Sequence, residues 1–139
     1  MTNYEAWQLV NQCRGFVFSR QGKNEDNSHL FSYKNKEISF TLDVKSYWKI
    51  LHHNETSYDS NDYNQQADYS LLMKHTADDF RVTEVSLGDN FELKFFMKGK
   101  IELVIPTHKY SRGAFYEHIP PEWVFKEGDK ILTHSPLIK

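Results

Sequence analysis

Acid–base, metal and nucleophilic chemistry in this chain would have to come from seven His, nineteen Asp and Glu, and one Cys. His52-His53-Asn54-Glu55 crowds three potential metal ligands together. Adjacent residues of a strand face opposite sides, however, and no H-E-x-x-H spacing is present, so no metal site is expected there. Asp59-Ser60-Asn61-Asp62 begins like a calcium loop, but Asn64 stands where glycine is required and Ser70 where the bidentate glutamate belongs. Cys13 falls on the apolar side of a helix-like segment and reads as a buried small hydrophobe. No G-x-S-x-G, glycine-rich phosphate loop or C-x-x-C occurs. Glu117-His118 with Glu122, and His29 with Glu37, are acid–base pairs that a sheet could bring together, although no spacing requires it. An enzyme reading, a small hydrolase or isomerase, therefore rests on His29, His52, His53, His118 and Glu117 converging in one pocket. A small-molecule binding module would instead need an apolar cavity lined by the aromatic side chains.

The sharper signal is a charge asymmetry. From Ile50 to Met73, 24 residues hold Glu55, Asp59, Asp62 and Asp68 but no Lys or Arg, a charge of −4 in a chain whose net charge is −2. Tyr58, Tyr63 and Tyr69 are interleaved with these acids. Carboxylates steer a basic protein partner and aromatic rings anchor it at low entropic cost, so this stretch reads as a partner surface or, more plainly, as a solvated loop.

Composition narrows the classes. A chain of 139 residues with 39% hydrophobic and 15% aromatic residues can bury a core without disulfides, and one cysteine cannot make an internal bridge. Seventeen basic against nineteen acidic residues, with a pI near 6.4, argue against a dedicated nucleic-acid binder or an electrostatic membrane anchor. The longest apolar runs are far short of a membrane span, and MTNYEAWQLV lacks the basic start of a signal peptide. A cytoplasmic, single-domain protein over residues 1–139, monomeric or weakly dimeric, is the expectation.

The elements that must position these residues are α+β. Apolar residues at Tyr4, Trp7, Leu9, Val10 and Cys13 predict a helix over Asn3 to Cys13, capped by Thr2 or Asn3 and ended at Gly15, with Phe16-Val17-Phe18 opening a strand. Gln21 to Ser28, Asn54 to Gln66 and Thr107 to Gly113 read as loops from their polar composition. Ala67 to His75 reads as a short helix or turn. FELKFFMKGKIELVI, Phe91 to Ile105, predicts a β-hairpin with a three-residue loop at Met97-Lys98-Gly99, pairing Phe95 with Ile101 and Leu93 with Leu103, Gly99 being left-handed. Trp123-Val124-Phe125 and Ile131-Leu132 form a further strand pair turning at Glu127-Gly128-Asp129. Shifted back by 63 residues, the hairpin falls without a gap on Leu30 to Leu42. The chain thus reads as two similar hairpin units, with half-repeats 14–53 and 77–116 joined by the acidic linker, or as two generically alike hairpins.

Ile38 to Trp48, followed by Lys49-Ile50, reads as a strand ending in the aromatic pair Tyr47-Trp48 before an acidic loop with Ser57 and Asp59. Leu71-Leu72, Phe80 to Val85 and the Phe91 to Ile105 hairpin follow. Over residues 30 to 105 this order resembles small immunity proteins of bacterial polymorphic-toxin and contact-dependent growth-inhibition systems. The chain departs from them in its long N-terminal helix and in Tyr116-Glu117-His118-Ile119, where a Y-E-x-W segment would stand. The resemblance implies a non-catalytic cytoplasmic inhibitor, without cofactor or metal, that binds a cognate protein toxin, most plausibly a nuclease with a basic surface. The expected contacts are Glu55, Tyr58, Asp59, Asp62, Tyr63 and Asp68.

Overall fold

Thr2 starts the first element of the computed structural model, which describes residues 2–61, 73–112 and 115–135, and only the backbone of residues 20, 21, 108–112 and 115–118. Its hydroxyl accepts from the Glu5 N–H at 3.1 Å, satisfying one of the donors a helix start leaves open. Helix α1 (Asn3–Val10) follows, then a 3₁₀ turn over Asn11–Cys13. Gly15, at φ +87°, breaks the helical path as expected.

Among the described residues, twelve strands make two five-stranded antiparallel sheets and a two-stranded ribbon. In the first sheet, β1 (Val17–Lys23), β2 (His29–Lys34) and β3 (Ser39–Val44) are followed across the sheet by β11 (Trp123–Glu127) and β12 (Lys130–Ser135). The second runs β5 (Glu55–Asp59), β4 (Lys49–His52), β8 (Ile101–Ile105), β7 (Leu93–Met97), β6 (Val82–Leu87). The ribbon is β9 (His108–Arg112) with β10 (Phe115–Ile119). The protein is therefore α+β and mostly antiparallel, as the patterning implied.

The connectivity carries an exchange. After β3 the chain leaves the first sheet through Lys45–Trp48, and its β4–β5 hairpin adds to β8 of the second. After β8 it returns, and β11–β12 adds to β3 of the first. The two crossings are bonded to each other, Lys45 N–H donating to the Glu122 carbonyl and the Glu122 N–H to Ser46 Oγ, both at 2.9 Å. A second seam joins β1 to β6, where the Gly15 N–H donates to Val82 O and the Val82 N–H to Phe16 O, each at 2.8 Å.

Alternating burial on β2, β3, β7 and β11 sends one apolar face of each sheet inward. The faces meet in one cluster, with Tyr33 of β2 stacked on Phe95 of β7 at 4.7 Å between ring centroids. Phe31, Phe40, Trp48, Trp123 and Phe125 are all at most 2% exposed, so these aromatic side chains fill the core and do not line a cavity. Cys13 is also fully buried, and burial pushes its thiol pKa up, away from nucleophile behaviour.

The hairpin at Phe91 to Ile105 keeps the expected parity but shifts by one pair. Phe95 faces Leu103, Met97 faces Ile101, and the loop is Lys98-Gly99-Lys100. Lys100 takes the left-handed conformation at φ +60°, while Gly99 answers a different demand. A Cβ on Gly99 would lie 2.6 Å from Asp79 Cβ and 3.1 Å from Asp79 O, and the Gly99 N–H donates to that carbonyl at 2.8 Å. Gly99→Ala must push two backbone segments apart, so we expect a loss of about 1–3 kcal/mol in urea unfolding, as for overpacked sites.

The sheets repeat, but the gapless 63-residue offset holds only for β3 on β8. Inward Phe31 and Tyr33 of β2 match Leu93 and Phe95, an offset of 62. The first hairpin turns tightly, with the Asn35 N–H donating to Ile38 O, whereas the second inserts one more residue. Leu30, aligned with Leu93 by the gapless shift, consequently lies on the outer face. All three polar segments read as loops contain strand residues: the end of β1 in Gln21 to Ser28, β5 in Asn54 to Gln66 and β9 in Thr107 to Gly113. Glu55 to Ser57 of β5 are exposed, so burial demands no apolar residues there, and Tyr58 alone of the strand turns into the core. Ala67 to Leu72 of the expected short helix or turn lie outside the described residues. Among the described residues no helix is long and apolar enough to cross a membrane.

Candidate functional site

The acidic stretch enters the structure as the β4–β5 hairpin at one edge of the second sheet. His53 and Asn54 both have positive φ, at 52° and 66°, which closes a two-residue turn between the paired residues His52 and Glu55. Glu55, Thr56 and Ser57 are exposed along this edge strand. Asp59, half-buried at the strand end, accepts from the Tyr47 hydroxyl at 2.9 Å through Oδ2 and from the Asn61 N–H at 3.0 Å through Oδ1. Its carboxylate is thus fixed by the crossing segment that precedes β4.

Of the residues expected at a partner surface, Glu55 and Asp59 share this edge. Tyr58 does not join them, which corrects its expected role as a central surface anchor: it is 5% exposed, its ring edge-on to Trp48 at 6.1 Å. Alternation along β5 turns Tyr58 inward while Ser57 and Asp59 face away. Asp62, Tyr63 and Asp68 lie outside the described residues.

The histidines are arranged differently from the expectation for a strand. Because His53 sits in a left-handed turn, its ring meets that of His52 at 4.2 Å. His75 approaches His52 at 4.6 Å from the other side, and its Nδ1 lies 3.2 Å from Asp79 Oδ2. Neither His75 nor Asp79 was singled out by sequence reasoning. The available signal was Thr76-x-x-Asp79, a capping box whose two reciprocal bonds are present, with the Thr76 N–H donating to Asp79 Oδ2 at 3.0 Å. That backbone bond first, then His75, hold the Asp79 carboxyl below its usual range.

A carboxylate orienting an imidazole is the layout of a general base. Here, however, Nε2 of His75 and of His52 are buried with no hydrogen-bond partner among the described residues. The adjoining cavity of about 310 Å³ is lined by His53, Asn54, Phe96, Met97, Lys100, Ile101 and Glu102, so the His75–Asp79 pair does not open onto it. Among the described residues no three His, Cys, Asp or Glu side chains are placed to hold a metal ion. His29 borders a separate cavity of about 300 Å³ with Lys23, Lys45 and Tyr47. Of the residues the enzyme reading requires, the described side chains are His29, His52 and His53, and of these His52 and His53 meet while His29 lies apart; the side chains of Glu117 and His118 lie outside the described residues.

Two histidines report on pH. Burial, then Lys23, lowers the pKa of His29, against an opposing effect of Asp43. Burial, then His53, His75 and Lys74, lowers that of His52. A depressed imidazole pKa means the unfolded chain binds more protons, so stability is complete above the ordinary value of 6.5 and falls as pH drops through it. We expect the urea midpoint to decline from pH 7.5 to 5.5, with His29→Gln and His52→Gln each flattening the decline.

No family model matches the chain, and no curated protein or solved structure matches it.

Proposed function

We propose that this chain is a non-catalytic immunity protein that binds a cognate toxin, a nuclease with a basic surface, and neutralises it in the cytoplasm. The observation that carries the reading is the acidic edge of β5, with Glu55 exposed and Asp59 held by Tyr47 and Asn61. A carboxylate already fixed by two hydrogen bonds loses little freedom on meeting a partner's Lys or Arg, and charge of one sign accelerates encounter. Tyr58 of this stretch is packed into the core, which leaves charge as the means of recognition at the described part of the edge.

Co-expression tests it. On this reading a secreted protein with a toxic C-terminal domain is expected to be encoded directly upstream, and the chain is produced together with that domain. Survival of cells that the domain alone kills, with a stable one-to-one complex on gel filtration, is the expected result. Full toxicity in the presence of the folded chain would overturn the proposal.

A further inference from the structure

We infer that the groove between α1 and β6 is a docking site for an arginine or lysine side chain of a basic protein segment. The assignment stands apart from the toxin reading, because β6 and β5 are opposite edges of the second sheet, roughly 19 Å apart at ordinary strand spacing. The groove has a volume of about 500 Å³. Its floor is Trp7, whose indole N–H donates to the Val85 carbonyl at 2.8 Å. Tyr4, 64% exposed, stacks on that indole with centroids 5.9 Å apart and planes 28° from parallel.

Two carboxylates, Glu84 and Asp89, line the groove, and among the described residues no cation does. Aromatic faces held in place beside carboxylates suit a guanidinium or ammonium, which gains cation–π attraction and charge pairing together. Arg14 lies beyond Trp7, in an adjoining hollow that also includes Glu84. Glu84 borders both hollows and Asp89 only the groove, so an incoming cation is directed to the groove.

The mode of binding also follows. An exposed edge strand would ordinarily invite strand addition. On β6 the Val85 carbonyl already accepts from Trp7, and just beyond it the Gly88 carbonyl accepts from Asn3 Nδ2 at 2.8 Å. The partner therefore enters by side-chain insertion.

Trp48 and Trp123 are fully buried, which leaves Trp7 as the tryptophan whose fluorescence reads the groove. A capped hexa-arginine peptide titrated into the full chain at low salt should give a saturable change in emission, absent with Trp7→Phe. Tyr4→Ala and the double variant Glu84→Gln, Asp89→Asn should each weaken it at least tenfold, while Glu55→Lys leaves it within twofold. Far-UV circular dichroism confirms that each variant is folded. No saturable response, an equal response in the groove variants, an equal response to hexaglutamate, or loss of the response in Glu55→Lys would each overturn the assignment.

Discussion

Trp48→Ala should cost this protein about 3–5 kcal/mol, the range for removing a large aromatic from a packed core. Trp48 ends the segment by which the chain leaves the first sheet, and it is fully buried. His29 and Phe31 of the first sheet meet its ring edge-on, each with centroids 5.0 Å away, and Tyr58 of the second meets it at 6.1 Å. Its backbone closes the far end of the β4–β5 hairpin as well, the Ser60 N–H donating to Trp48 O at 3.0 Å. Truncation therefore opens a cavity where both sheets and the crossing meet. Against a total of roughly 5–15 kcal/mol for a domain, that is a large fraction. Urea unfolding followed by circular dichroism should show a much lower midpoint for Trp48→Ala. Trp48→Phe, which keeps a ring in the same place, should lose less than half as much. Equal losses would mean that the indole's size is not what holds the crossing.

Trp48 also marks how far the sequence could be read. Alternation at Leu93, Phe95, Ile101 and Leu103 was enough to find the hairpin and its dry face, since side-chain period alone decides which residues point inward. Pairing slipped because moving the turn by one position in this hairpin changes partners by two residues and preserves every face. Gly99 looked like the turn residue, yet its lack of a side chain answers the approach of Asp79, twenty positions upstream, which no local pattern records. The exchange of hairpins between sheets has the same origin. A strand pair looks the same in sequence whether it extends its own unit or the neighbouring one. At the acidic edge, composition found the carboxylates, but the inward turn of Tyr58 became visible only once Glu55 to Asp59 proved to be a strand. His75 was missed because the ring it meets is more than twenty residues away, at the tip of another hairpin.

If the chain is the immunity protein proposed above, charge reversal on the β5 edge should slow capture of its toxin before it alters the fold. Glu55 is exposed and no ion pair of the described residues engages it, so Glu55→Lys changes the local field with little structural consequence. Association at low salt should slow roughly tenfold, within the range set by electrostatic steering. The difference from the unmodified chain should shrink as ionic strength rises toward 0.5 M and the screening length falls below about 5 Å. Asp59 behaves differently because it is held by the Tyr47 hydroxyl and the Asn61 N–H. Asp59→Lys removes both acceptors and places a cation where an anion was fixed, so dissociation should accelerate as well. Tyr47→Phe keeps the charge of Asp59 but removes one restraint, and should leave the association rate unchanged while raising the dissociation rate a few-fold. Stopped-flow fluorescence with the purified toxin domain separates the two rates. If Glu55→Lys and Asp59→Lys both associate and dissociate like the unmodified chain, the acidic edge is a solvated surface and the proposed toxin contact there is overturned.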